Sequence, residues 1–229
     1  GKGSVWVLGH CHIVVTGLFG DEAPRSTVGR SSLLSLSFGV FFFDFDLDTW
    51  PDIFAANGHI DEEIGRVQPK VQFKQQPLLF RNVGRGKFED VSRSAGSPFQ
   101  VPIVARGAAY ADYDRDGDLD VLVSTNHGPA YLWMNENVDK NNWLALRLKG
   151  VKSNRSGLGA VVRLQSNSGR QVQTVHSGSS YCSQSDLTLT FGLGKDVLAN
   201  SIEVEWPSGV KQRLAGVKAN QFLIITEGQ

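Results

Sequence analysis

Apolar positions along this chain fall into two patterns. From Trp143 onward they alternate with polar ones in a two-residue register: Trp143-Leu-Ala-Leu-Arg-Leu148, Ala160-Val-Val-Arg-Leu164, Val172-Gln-Thr-Val175, Leu187-Thr-Leu-Thr-Phe191, Ile202-Glu-Val-Glu-Trp206 and Phe222-Leu-Ile-Ile-Thr226. Such alternation puts one face of each strand in a core and the other in water, as in an antiparallel sandwich or barrel. Turn signals at Gly157-Leu-Gly159, Asn167-Ser-Gly169 and Pro207-Ser-Gly209 separate the runs. Before Asn135 the apolar runs are shorter and bounded by aspartate, asparagine and glycine. No long segment has a 3.6-residue apolar period, so the pattern predicts an all-β protein. Residues 1–38 are the least regular. There Val5–Leu8 and Ile13–Val15 read as short strands, and Asp21–Ser32 reads as a polar loop.

The shorter runs form an internal repeat. Gly39-Val-Phe-Phe-Phe-Asp44-Phe-Asp46-Leu-Asp48 aligns with Gly107-Ala-Ala-Tyr-Ala-Asp112-Tyr-Asp114-Arg-Asp116. Each is followed by an apolar strand, Ile53–Asn57 or Leu119–Asn126, and then by a hydrophobic strand closed by asparagine, Leu78–Asn82 or Tyr131–Asn135. The acidic loops lie 68 residues apart, and a polar insertion at Asp61–Gln76 lengthens the first copy. Asn137–Asn142 reads as a linker into the alternating half.

Asp112, Asp114, Asp116 and Asp120 place four carboxylates within nine residues, with Gly117 at the sixth position. Alternating aspartates in a tight loop turn toward one centre, where like charges repel and raise one another's pKa values. A hard dication taking six to eight oxygens relieves that repulsion, with the backbone carbonyl of Asp118 as a further ligand and Asp120 closing the shell. The all-oxygen set and flexible loop select Ca2+ over zinc, copper and magnesium. Gly117 provides the positive φ of the bend. The earlier loop repeats the spacing with Asp44, Asp46, Asp48 and Asp52, and with the Trp50 carbonyl at the seventh position. Thr49 stands where glycine belongs, and a β-branched residue at positive φ costs roughly 1–2 kcal/mol. A weaker or distorted first site is expected. An EF-hand is excluded, because its twelfth loop position is Glu between helices, whereas here it is Val123 between strands. The competing reading is a solvated acidic turn, but turns rarely use four aspartates at this spacing.

The repeat with this loop resembles the FG-GAP/VCBS repeat, the blade unit of integrin-α-type β-propellers, over residues 39–136. That resemblance implies calcium between two strands of a blade, held by the side chains of Asp112, Asp114, Asp116 and Asp120 and the carbonyl of Asp118, with the first loop matching except at Thr49. Residues 142–227 resemble the ASPIC/UnbV domain through Lys152-Ser-Asn-Arg-Ser-Gly157-Leu-Gly159, Ser177-Gly-Ser-Ser-Tyr181, Phe191-Gly-Leu-Gly194 and Val204-Glu-Trp206-Pro-Ser-Gly209. The expected architecture is therefore partial β-propeller-type blades over 39–138, then a β-sandwich-like domain over 142–227. Residues 1–38 are left unassigned, as a divergent or truncated blade. A propeller closes with at least four blades, and two are recognisable. The resemblance implies secretion or another extracytoplasmic location and recognition or adhesion, with no established catalytic role; the partner expected is a protein or glycan. An enzyme on a propeller scaffold, an accessory protein, and a structural cap of a longer propeller are the alternatives.

Charge adds an exclusion. The 23 basic and 23 acidic residues cancel, so no global field draws nucleic acid or an anionic membrane. No apolar run reaches the ~20 residues of a membrane span. The chain starts at Gly1 without a signal peptide and reads as part of a longer protein. Cys11 and Cys182 can form one long-range disulfide or remain two thiols. His10-Cys11-His12 lacks a third metal ligand nearby, and His59 and His127 read as loop residues. Ser179 and Ser180 lack a nucleophile elbow, and Asp61/Glu62 and Glu203/Glu205 read as solvated pairs. In the run Phe41–Phe43 and Trp50, alternation buries some rings and leaves others for a partner surface.

Overall fold

The structure, a computed structural model, describes residues 11–13, 19–21, 23–136 and 139–229. The Val5–Leu8 run, His10 and the side chains of Cys11 and His12 lie outside the described residues. Two short strands, β1 (Cys11–Ile13) and β2 (Phe19–Asp21), pair antiparallel. The stretch read as a polar loop contains a helix, α1 (Thr27–Ser32), because the Ser26 Oγ accepts the Gly29 N–H at 3.0 Å and so caps it. Its Val28 is buried against Ile53 and Phe80.

The repeats are two antiparallel meanders. The first consists of β3 (Ser37–Phe43), β4 (Asp52–Asn57), β5 (Leu78–Asn82) and β6 (Phe88–Asp90), in that order. The second consists of β7 (Ala105–Ala111), β8 (Asp120–Thr125) and β9 (Tyr131–Trp133). The polar insertion carries a single helical turn, α2 (Ile64–Val67). Each acidic loop is the hairpin joining the first two strands of its sheet. The two sheets share one core, in which Phe41, Phe43, Phe54 and Leu79 of the first meet Ala105, Ala108, Val121 and Val123 of the second. Strand alternation explains the aromatic run: Phe41 and Phe43 point inward, and Phe42 is 62% exposed. Phe41 stacks on Phe54 at 5.1 Å and lies 5.0 Å from Tyr110 across the seam.

The alternating half forms two facing sheets. One has the order β13 (Leu189–Gly194), β10 (Asn142–Lys149), β16 (Gln221–Thr226). The other has the order β12 (Gly169–Thr174), β11 (Val161–Ser166), β14 (Leu198–Glu205), β15 (Lys211–Lys218). Between them lie Leu144, Leu146, Leu148, Val162, Leu164, Phe191, Leu193, Ile202, Val204 and Trp206. One detail departs from an antiparallel sandwich: β16 runs parallel to β10. The chain leaves β15 and crosses to the other sheet at Asn220, whose φ is 58° and whose N–H donates to the Trp143 carbonyl at 2.7 Å. Strand β15 had no sequence signal because it lies at a sheet edge and keeps much of its length in water.

The end of β16 is tied down by a buried carboxylate. Glu227 Oε2 accepts the N–H groups of Val151, Lys152 and Ser153 at 2.6–2.7 Å, and Oε1 accepts the hydroxyls of Ser153 and Ser208. Burial opposes its ionisation, but the donors from Ser153, Ser208 and Val151 together outweigh it and hold the carboxyl down at about 2. A carboxyl lowered from 4.5 stabilises the fold fully above that value, and the contribution fades as pH falls toward 2. Glu227→Gln is therefore expected to melt several degrees below wild type at pH 7, with the gap closing between pH 4.5 and 2. A constant gap across that range would show that the charge is not what matters.

Candidate metal centre

Both acidic loops bend through the same unusual backbone. The fourth position is left-handed in each, with φ 57° at Leu47 and 67° at Arg115. The sixth is positive in each, with φ 87° at Thr49 and 101° at Gly117. Thr49 thus occupies the strained conformation expected of it. The seventh-position N–H donates to the fifth-position carboxylate in both loops, Trp50 to Asp48 Oδ1 at 2.9 Å and Asp118 to Asp116 Oδ1 at 3.1 Å.

The bend brings three carboxylates together in each loop. Ligand oxygens of Asp44, Asp46 and Asp48, and likewise of Asp112, Asp114 and Asp116, lie within 4.8 Å of one another. Asp52 and Asp120 do a second task that spacing alone did not reveal. Asp52 accepts the Phe45 N–H at 3.1 Å and the Asn82 N–H at 2.7 Å. Asp120 accepts the Tyr113 N–H at 2.8 Å and the Asn135 N–H at 2.9 Å. Each ninth-position carboxylate therefore ties the start of its loop to the asparagine that closes its repeat. One lone pair per oxygen remains for a ligand.

Asp118 decides what the second loop can hold. The side chain is 0% exposed, and neither carboxylate oxygen receives an N–H or O–H donor. Its polar neighbour is another carboxyl, Asp116, with Asp120 and Asp114 adding negative field. Burial, reinforced by these charges, pushes Asp118 up to about 8. Burial likewise pushes Asp44 and Asp52 up to about 8, and raises Asp112, Asp120 and Asp46. A buried carboxylate with no donor is stable only with a cation or a proton. The donors present, all oxygen, suit a hard divalent ion. Spacing had assigned Asp118 a carbonyl role alone; its buried side chain lies against Asp116, beside the three carboxylates that converge within 4.8 Å.

The sandwich reaches into both loops. Leu47 is fully buried, and its carbonyl accepts the Gly194 N–H at 2.9 Å. A Cβ on Gly192 would lie 2.6 Å from the Leu47 backbone and overlap the Asp44 carboxylate. Its cross-strand partner Trp143 covers the second loop, where a Cβ on Gly117 would overlap the indole. Asparagines hold the join: Asn135 Nδ2 donates to the Phe45 carbonyl and Asn141 Nδ2 to the Asp46 carbonyl, both at 2.7 Å.

A family of FG-GAP-like repeats matches residues 44–123, and ASPIC and UnbV matches residues 150–229. The chain is an FG-GAP-like repeat unit joined to an ASPIC/UnbV domain. It is 41% identical over 59 residues to cartilage acidic protein 1 of Mus musculus, and 37% identical over 62 residues to the Xenopus tropicalis protein. Those stretches cover 25% and 27% of this chain and 9% of each relative. The FG-GAP-like unit contains the first acidic loop and the second through Asp120, whereas the ASPIC/UnbV match begins beyond Trp143.

The remaining candidates take structural places. His59 and His127 lie in loops. Ser179 bonds Ser185, whose hydroxyl accepts the Tyr110 N–H at 3.2 Å, while Ser180 bonds the Val40 N–H and carbonyl, so Ser180 directly and Ser179 through Ser185 serve the seam between the FG-GAP-like unit and the ASPIC/UnbV domain. Glu205 pairs with Arg163 at 2.9 Å, and Glu203 faces Arg213 at 3.9 Å, on the surface of β14. Asp61 accepts the Glu63 N–H at an exposed turn. Cys182 is an exposed free cysteine. No helix among the described residues is long and apolar enough to cross a membrane.

Proposed function

We propose that this chain is a calcium-stiffened recognition module with no catalytic role, working outside the cytoplasm. The observation that carries the reading is the buried Asp118 carboxylate, which has no donor and lies against Asp116. Calcium would be held in the second loop by Asp112, Asp114, Asp116 and Asp120, with Asp118 as a further ligand. In the first loop it would be held by Asp44, Asp46, Asp48, Asp52 and the Trp50 carbonyl. The ion supplies positive charge that removes mutual repulsion. The chain's own residues then fix the hairpins, and through Asn82, Asn135, Gly192 and Trp143 they fix the sheets and the sandwich.

The relatives' name refers to cartilage, which supports an extracytoplasmic setting; the partner expected there is a protein or glycan. Phe42 and Trp50, 62% and 51% exposed, offer aromatic surface to such a partner. Affinity for calcium is expected in the extracellular-type range, on the order of 10⁻⁴ to 10⁻³ M.

Calorimetric titration and thermal melting at pH 8 test this. Calcium at about 100 times its dissociation constant should add about 2.7 kcal/mol, which is about 5–10 °C for a chain of this size. Asp116→Asn should remove most of the gain. Identical melting in chelator and in about 100 mM calcium, with no binding heat, would reject the reading.

A further inference from the structure

The two loops share a backbone but not a charge balance. Around the second stand five aspartates, Asp112, Asp114, Asp116, Asp118 and Asp120, and Met134 precedes the Asn135 that closes its repeat. In the first, Trp50 replaces the fifth carboxylate, and the residue before the closing Asn82 is Arg81. The guanidinium reaches the loop: Arg81 Nε lies 2.7 Å from Asp46 Oδ2, and a terminal nitrogen lies 3.6 Å from Asp48 Oδ2. It thus touches two of the three clustered carboxylates. The contact with Asp46 is one of charge rather than an aligned hydrogen bond, since Arg81 Nε and Asp46 Oδ2 both lack a hydrogen-bond partner of good geometry. Asp44 is held differently, both oxygens accepting N–H groups, from Asp48 at 3.0 Å and Thr49 at 2.9 Å. No equivalent cation is paired with Asp112, Asp114 or Asp116 among the described residues.

We propose that Arg81 is a tethered counter-cation of the first loop, which makes that loop the weak, dispensable ion site and leaves the second as the obligate one. This rests on the metal-binding reading of the loops and adds a ranking to it. A fixed positive charge a few ångströms from an incoming dication repels it, and even in a partly wet site that repulsion is worth more than a factor of about ten in affinity. It also holds the first loop together without an ion, so the packing of Leu47 and Gly192 survives ion loss. The second loop has no such reserve.

The experiment exchanges the two residues in the 229-residue chain and titrates calcium by calorimetry. Wild type should bind one calcium tightly and a second at least about ten-fold more weakly. Arg81→Met should tighten the weak site about ten-fold and leave the tight one unchanged, while lowering the melting temperature in chelator. Arg81→Lys should keep the site weak. The reciprocal Met134→Arg, at a position 42% exposed and so safe for folding, should weaken the tight site. Asp116→Asn should abolish the tight site and spare the weak one. The ranking is overturned if Asp116→Asn removes the weaker site instead. It is overturned too if Arg81→Met weakens binding, which would make Arg81 an orienting partner of Asp46, or if Met134→Arg changes nothing. Wild type that binds no calcium at all would sink the metal reading itself, a result distinct from two equal sites, which would sink only this proposal.

Discussion

Gly117→Val is expected to lower the melting temperature by about 6–12 °C, the equivalent of about 3 kcal/mol in a chain of this size, and to remove the stronger calcium response. Two costs add. The residue sits at φ 101°, which a β-branched side chain adopts only with strain of roughly 1–2 kcal/mol. Its Cβ would also overlap the Trp143 indole, so the ring must leave its place over the loop or the loop must open. Gly209→Val separates these costs, because Gly209 has φ 88° and nothing within 4 Å of its would-be Cβ. The excess loss in Gly117→Val over Gly209→Val measures the join between loop and sandwich, and a shift in tryptophan emission should accompany it. Equal losses in the two variants would mean that Trp143 contributes nothing to holding the loop.

In chelator, the protein should become more stable as pH falls from 8 to 5, by at least about 5 °C in melting temperature, the equivalent of roughly 2 kcal/mol. Burial raises Asp44, Asp52 and Asp118 from 3.8 to about 8. A carboxyl with a raised folded-state pKa takes up a proton on folding at intermediate pH. Its burial therefore costs nothing below 3.8, and the penalty grows until pH passes about 8. A bound dication favours the ionised form, so saturating calcium should flatten or reverse the trend. Glu227 does not interfere, since its own window lies below 4.5. Melting that is independent of pH in chelator between 5 and 8 would show that burial does not raise these carboxyls.

Much of this protein was legible in its residues because the information is local. A period of two fixes which side chains of β10, β11 and β14 face inward, and Leu144, Leu146, Leu148, Val162, Leu164, Ile202, Val204 and Trp206 are buried. Alternating aspartates with glycine at the sixth position dictate a bend with positive φ, and the loops show it at Gly117 and even at Thr49. Spacing could not decide what lies across space. Arg81 meets Asp46 from 35 positions away, and Trp143 covers a glycine of another sheet. Asp118 became a buried carboxylate only when the surrounding chain closed over it. Sequence sets the local dihedrals and the charge each loop carries. Tertiary packing sets the solvent and the counter-charges around it, and those determine whether a carboxylate is content in water or needs an ion.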